Sequence, residues 1–325
     1  MQTESVINLR KVRDVGDVLN DTFRFIRQNI RVLGKSLLLI AGPAIVLSAI
    51  PSAMLQISGF GVDPTNTTGA AMTGSLIGLY LVLVIVFSMA ASVLSVAVVH
   101  STVMLYQDYG PDGFEVQDVW EMTKAHFWTI LLAILLIAVV VTVPAIIVII
   151  PCLGALAYIV GLVYFMVSIA PLFPMLVREQ IGIIDGMKRS MALVKEHWWA
   201  TLGVVFVAFM IYSMLGGLFM VPYYIFFFIN MMHTIDATSV SPLIHVGMVV
   251  SSAVGSLGTI LLYSIPLIAT ALHYFNLVER KERTGLMTAI EAIDPSPPAE
   301  TPGFQSPTDL YPDEDATDTP GEEHG

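Results

Sequence analysis

Residues 183–209 read IIDGMKRSMALVKEHWWATLGVVFVAF, and the order of residue types in that stretch decides the fold. Ile184, Met187, Met191, Val194 and Trp198 recur at steps of three and four, while Asp185, Lys188, Arg189 and Lys195 mark the other face. After the Trp198-Trp199 pair the chain turns uncharged and, Thr201 aside, apolar. Cations hold to water, indole rings settle at headgroup depth, and an uncharged apolar run enters hydrocarbon. The stretch therefore predicts an amphipathic interfacial helix that leads directly into a membrane span.

The same design occurs twice upstream. From Asp14 the chain reads DVGDVLNDTFRFIRQNIRVLGKSLLLI, with Asp14 placed to cap a helix. Val15, Leu19, Phe23, Ile26, Ile30 and Leu33 form its apolar face, and Asp17, Asp21, Arg24, Gln28 and Arg31 its polar one. From Val116 it reads VQDVWEMTKAHFWTILLAILLIA, with Val116, Val119, Trp120, Thr123 and Phe127 on the less polar side. The expected fold is all-α: a polytopic membrane protein with six transmembrane helices. They form three parallel repeats, at about 14–106, 116–177 and 183–277, each an interfacial amphipathic helix followed by a helical hairpin. A polar arm (1–13) precedes this membrane domain (14–290), and a disordered, acidic, Pro-rich tail (291–325) follows it.

The spans are expected near 33–55, 72–106, 128–150, 154–177, 198–220 and 242–277, with Pro222 bending or ending the fifth. The Pro151-Cys152 connection is short enough to force an antiparallel hairpin. Three rows of small residues read as packing seams: Ser88, Ala91, Ser92 and Ser95; Gly154, Gly161 and Ser168; and Ser251, Gly255 and Thr259.

Composition agrees. Of 325 residues 55% are hydrophobic and only 13% charged, with a mean hydropathy of +0.77. Soluble domains carry about 25% charged residues. The net charge of −11 belongs to the tail, where 291–325 hold ten acidic residues and no Lys or Arg. The fifteen basic residues all precede the first span or sit in its first turn (Lys35), lie in the connections 107–127 and 178–195, or follow the sixth span. By the positive-inside rule both termini and all three amphipathic segments face the cytoplasm. The expected location is the cytoplasmic (inner) membrane of a bacterium, with no cleavable signal peptide before the first span.

Candidate chemistry is sparse. Cys152 is the single cysteine, so an intrachain disulfide is excluded and a packing role expected. No Asp, Glu, Lys or Arg sits at the centre of a span, which disfavours an ion-coupled transporter. His100, His245 and His273 are the titratable groups in or near the spans; His100 and His273 share one end of the bundle, yet a metal site wants further ligands. No metal, cofactor or nucleic-acid partner is expected, and no phosphate loop, catalytic triad or zinc-protease motif occurs. His126 and His197 each precede an aromatic pair and read as interfacial anchors. The sharper candidates are contacts to lipid headgroups or to a partner: Lys188, Arg189, Lys195, His197 and Trp198 in the third copy, Arg24 and Arg27 in the first. Clustered cations attract anionic lipid by roughly 1 kcal/mol per charge.

Three stretches carry a family resemblance: DVGDVLNDTFRFIRQN at the start, PLFPMLVREQIGIIDGMKRSMALVKEHWW in the middle and LHYFNLVERKE at the end. Across about residues 10–285 the chain resembles the membrane domain of some glycerophosphoryl diester phosphodiesterases. Arg189, Ser190 and Trp198 match that family's Arg-Ser pair and downstream Trp, and Tyr274, Phe275, Arg280, Lys281 and Glu282 its closing stretch. The family's catalytic barrel is missing, so its activity and catalytic residues are not carried over. The expected role is a non-catalytic integral membrane protein, a scaffold or lipid-associated domain. Membrane lipids are its expected partners, with a protein partner on the collar or tail and a homo-oligomer also allowed. The alternative is a permease for a neutral or lipid-like substrate passing between the hairpins.

Overall fold

The first helix begins where its cap predicts. Asp14 has an extended backbone, and its Oδ1 accepts the Asp17 N–H at 2.7 Å, satisfying one of the helix's orphan donors. A computed structural model of the chain describes residues 7, 9, 11–59, 67–111, 113–150, 153–235 and 242–282. Among them every regular element is helical. The order is α1 (Val15–Ser36), α2 (Gly42–Gly59), α3 (Thr67–Tyr109), α4 (Val116–Thr142), α5 (Leu153–Ser168), α6 (Leu172–Glu179), α7 (Ile183–Val194), α8 (Trp198–Ile235) and α9 (Pro242–Glu282). Six helical stretches are long and apolar enough to cross a membrane: Val15–Leu55, Gly74–Tyr109, Val116–Ile149, Leu153–Glu179, Ile183–His233 and Leu243–Glu282. The chain is a multi-pass membrane protein by helix length and hydropathy. Cys152 and the acidic tail lie outside the described residues.

The three segments expected as repeats differ in how the chain passes from the amphipathic stretch into the following span. A π-helical stretch, Leu37–Ala41, joins α1 to α2. In the second repeat α4 runs through without a break, opened by a capping box between Glu115 and Asp118. In the third a 3₁₀ turn, Lys195–His197, joins α7 to α8. Pro222 neither ends nor interrupts α8, which continues to Ile235. Neighbouring helices re-satisfy a carbonyl freed inside a membrane, so proline is tolerated there. The fourth span is broken instead: α5 stops at Ser168 and α6 starts after Pro171. At about 1.5 Å per residue, α3, α8 and α9 each reach roughly 57–64 Å, twice the ~30 Å hydrocarbon core. They must tilt or extend beyond the bilayer.

The buried core lies at one end. It gathers Phe25 and Leu33 of α1, Val96, Val99, Val103 and Tyr106 of α3, Ile130 of α4, Met175 of α6, Val204 of α8, and Ile268, Leu272 and Phe275 of α9. These sit in the halves of the helices nearest the start of α1, the end of α3 and the end of α9, hereafter the collar end. In the opposite half, Val82, Ile85, Met214, Leu218, Val246 and Val250 are exposed and face lipid.

The apolar faces read from the sequence are only partly buried in the protein: Val15, Leu19, Ile26 and Leu33 of α1 pack on the core, as do Val194 and Trp198. On α1 the buried residues are Val18, Thr22, Phe25, Asn29, Leu33 and Ser36, whereas Phe23 and Ile30 are exposed. On α7 they are Gly186, Ser190, Leu193 and Val194, whereas Ile184 and Met191 are exposed. Lipid solvates a large apolar side chain as well as a protein core does, so small and hydrogen-bonded residues take the close contacts. A Cβ on Gly186 would lie 3.0 Å from Leu176 and 3.1 Å from Leu172, which shows how near α6 and α7 approach.

Candidate functional site

Two features stand out: a polar lock at the collar end and a hydroxyl-lined crevice within the membrane.

The lock ties α1, α3, α5, α6, α7 and α9 together. Arg13 is buried and pairs with Asp21 at 2.6 Å; its backbone N–H donates to Asn276 Oδ1 at 2.8 Å, and Asn276 Nδ2 donates back to its carbonyl at 3.0 Å. Thus the residue before the Asp14 cap is fixed to the last turns of α9. Tyr106 of α3 accepts the Ile7 N–H and donates to Gln28 of α1, both at 2.9 Å, while its ring packs edge-on against Phe25. Arg178 Nη1 reaches both Asp108 oxygens, at 2.9 and 3.0 Å, joining α6 to α3. Ser190 donates to the Ser168 carbonyl at 2.9 Å, joining α7 to α5.

Arg189 is the keystone of the third repeat. Its Nε lies 2.6 Å from Glu179 Oε2 on α6 and its Nη2 lies 2.8 Å from Glu282 Oε1 on α9. Tyr274 donates to the other Glu179 oxygen at 2.8 Å. Burial would lower the Arg189 pKa, but the Glu179 and Glu282 carboxylates more than offset it and the net shift is upward. A guanidinium suits this position because its rigid fork addresses two carboxylates at once.

The other expected contact residues divide. Lys188 is exposed and only 3.9 Å from Asp185; Lys195 and Arg27 are exposed, and Arg24 and His197 half-buried. Trp198 stacks on Tyr164 at 5.7 Å between ring centroids, whereas its neighbour Trp199 is exposed, as is Trp128 in the second repeat. Lys188, Lys195, Arg27 and Trp199 therefore face outward, while Arg189 and Trp198 are engaged within the bundle. His100 is fully buried, bonds the Val96 carbonyl through Nδ1 at 2.7 Å, and lies near Phe173. His273 contacts Thr201 instead. Among the described residues no group of three or more His, Cys, Asp or Glu is placed to hold a metal.

The crevice lies between the first and third hairpins. About 300 Å³ in volume, it is lined by Ser48 of α2, Ser88 and Ser92 of α3, Tyr212 of α8, and Ser256, Thr259 and Tyr263 of α9, with Ile45, Ala91 and Ile260. Tyr212 is fourteen residues into α8, about 21 Å from its start, which places the crevice near mid-membrane. Ser88, Ser92 and Thr259 donate to carbonyls of their own helices, so they present lone pairs to the crevice. The Tyr212 and Tyr263 hydroxyls make no hydrogen bond among the described residues. Among the described residues no charged group lines the space. Phe209, Tyr212 and Tyr263 form a cluster with centroids 5.4–6.2 Å apart. On its far side an apolar cavity of about 360 Å³ runs between α4, α5, α8 and α9, and Tyr263 borders both spaces.

Two of the expected seams acquire this second role. Ser88, Ser92 and Thr259 sit at helix-packing spacing, but each also faces the crevice. Ala91, Ser95 and Gly255 do pack closely, Gly255 against Met220 and Phe219. Gly154 packs against Ile147, whereas Gly161 has open space beside it. Tyr212 and Tyr263 escaped the reading; two tyrosines away from the interfacial belts were the available signal. The lock's acceptors Glu179 and Glu282 are separated by over a hundred residues, so no local pattern joins them.

The chain matches no family model, and neither a curated protein nor a solved structure shows significant similarity to it.

Proposed function

We propose that this chain is a non-catalytic, lipid-associated protein of the cytoplasmic membrane. In this reading a rigid collar on the cytoplasmic side anchors three hairpins, and the crevice between the first and third receives a neutral, lipid-like molecule. The observation that carries the reading is the pair of unpartnered phenols, Tyr212 and Tyr263, facing serine and threonine hydroxyls in an uncharged mid-membrane space. A hydroxyl held in an apolar medium without a partner costs about 1–3 kcal/mol, and a ligand ester or hydroxyl removes that cost. An ionised headgroup would find no counter-charge there and is excluded by desolvation.

The test is a photoreactive diacylglycerol presented to the full chain in nanodiscs, with the labelled peptides identified by mass spectrometry. Labelling should fall on α3, α8 and α9 around the crevice and drop at least fivefold in the Tyr212→Phe, Tyr263→Phe double variant. Labelling spread evenly over the lipid-facing surface would refute the reading.

A permease for a neutral or lipid-like substrate is the second reading. It is favoured by Tyr263, one side chain that walls two cavities on opposite sides of the α8–α9 pair. Saturable flux of such a substrate in proteoliposomes, lost on Tyr263→Trp, would select it over a static binding role.

A further inference from the structure

A third cavity, of about 150 Å³, lies at the collar where the start of α1, the start of α8 and the end of α9 meet. Its polar lining comes from Arg13, Asp14, His197, His273, Asn276 and Arg280. Most of these groups keep some capacity in reserve. Arg280 uses Nε on Asn276 Oδ1 at 3.3 Å and Nη2 on the Arg13 carbonyl at 2.7 Å, which leaves Nη1. Asp14 uses Oδ1 on the Asp17 N–H, which leaves Oδ2. Among the described residues His197 makes no side-chain hydrogen bond, and His273, only 3% exposed, has an unpartnered Nδ1.

The direction of the Thr201 hydroxyl decides what that nitrogen offers. Thr201 Oγ1 has one proton and donates it to the His197 carbonyl at 3.0 Å. At its 2.9 Å contact with His273 Nε2, the imidazole must then be the donor. His273 Nδ1 therefore presents a lone pair. Residues with two spare donors, Arg280 Nη1 and His197, thus line one pocket with residues that keep two spare acceptors, Asp14 Oδ2 and His273 Nδ1. A simple anion would be opposed by both acceptors, and a simple cation by Arg280. A zwitterion meets all four.

We propose that this pocket binds a phosphate ester bearing a primary ammonium group. The phosphate sits on Arg280 and His197, and the ammonium lies between the Asp14 carboxylate and His273 Nδ1. The volume is that of about five water molecules, room for such a group and little more. Its place beside the Trp198-Trp199 pair is headgroup depth. The chemistry is shared by an ethanolamine phospholipid and by soluble phosphoethanolamine. The lipid source rests on the lipid-associated reading above; the pocket's selectivity does not.

The experiment is native mass spectrometry of the full chain released from nanodiscs of phosphatidylethanolamine, phosphatidylcholine or phosphatidylglycerol, with soluble phosphoethanolamine as competitor. A quaternary ammonium has no N–H, so phosphatidylcholine should be retained about tenfold less than phosphatidylethanolamine, the effect of one charge-assisted hydrogen bond. Asp14→Asn keeps the helix cap and should abolish that preference; Lys188→Ala should leave it intact. Displacement of the lipid by millimolar phosphoethanolamine would make the soluble ester the ligand, and no displacement would make it the lipid; either supports the chemistry. Equal retention of the ethanolamine and choline lipids, tighter retention of phosphatidylglycerol, or a preference surviving in Asp14→Asn would each overturn it. Tyr212→Phe, Tyr263→Phe should not change these ratios, so failure here and failure of the crevice reading are told apart.

Discussion

Arg189→Met removes the guanidinium that joins α7 to α6 and α9 while keeping most of the side chain's length. The cost lies between two limits. Exposed ion pairs contribute about 0–1 kcal/mol, and stripping one partner from a fully buried pair costs about 3–5 kcal/mol. Arg189 and Glu179 have side chains 39% and 19% exposed, and Glu282 is 37% exposed. Glu179 keeps its Tyr274 hydrogen bond at 2.8 Å, so it is not left bare. These observations place Arg189→Met at about 2 kcal/mol, of which the more solvated Glu282 arm supplies roughly 0.5. The assay is reversible unfolding in mixed micelles titrated with a denaturing detergent, run as double-mutant cycles with Glu179→Gln and Glu282→Gln. Coupling to Glu179 should be near 1–1.5 kcal/mol and persist at 1 M salt, while the Glu282 coupling should vanish there, because screening acts on exposed pairs. The result that refutes the reasoning is an Arg189→Met protein within about 0.5 kcal/mol of wild type that has lost retention on anionic vesicles. Arg189 would then serve lipid, as the sequence alone suggests, and not the lock.

Three further outcomes follow from local geometry. A Cβ on Gly258 would overlap the Phe219 ring, whereas Gly161 has open space around it. Gly258→Ala should therefore cost about 1–3 kcal/mol through overpacking of α8 on α9, and Gly161→Ala should gain about 0.5–1 kcal/mol from helix propensity, both read by the same detergent titration. Gln180, with φ of 51°, holds the left-handed turn between α6 and α7. Gln180→Gly should raise stability by up to about 1 kcal/mol, reduced by the freedom glycine adds to the unfolded chain; a loss would show that the Gln180 side chain holds the turn. With Cys152 replaced by Ala, a cysteine at Lys188 should react with a membrane-impermeant maleimide only in inverted membrane vesicles, and one at Thr238 only in right-side-out cells. The opposite pattern would reverse the orientation inferred from basic residues.

How legible the molecule is in its sequence depends on which solvent each residue meets. Span number and hairpin order follow from runs of apolar residues, because hydrocarbon thickness sets a length that few other pressures imitate. The Asp14 cap is equally plain, since a cap is local. Helix faces are another matter. In water, Phe23, Ile30, Ile184 and Met191 would mark the buried side of α1 and α7; here all four are exposed, and Thr22, Asn29, Gly186 and Ser190 take the inside. Apolar periodicity reports distance from water, and beside a bilayer that no longer means distance from the protein surface. The same reversal explains the crevice. Ser88, Ser92 and Thr259 sit at spacings that serve close packing, and their hydroxyls cost little while they bond their own helix carbonyls. Tyr212 and Tyr263, too large for a seam and without an acceptor among the described residues, are the crevice residues that packing does not account for. In a multi-pass membrane protein, the residues to weigh are thus the polar ones that packing alone does not require. Here they are two phenols at mid-membrane and the Asp14, His273 and Arg280 cluster at the collar.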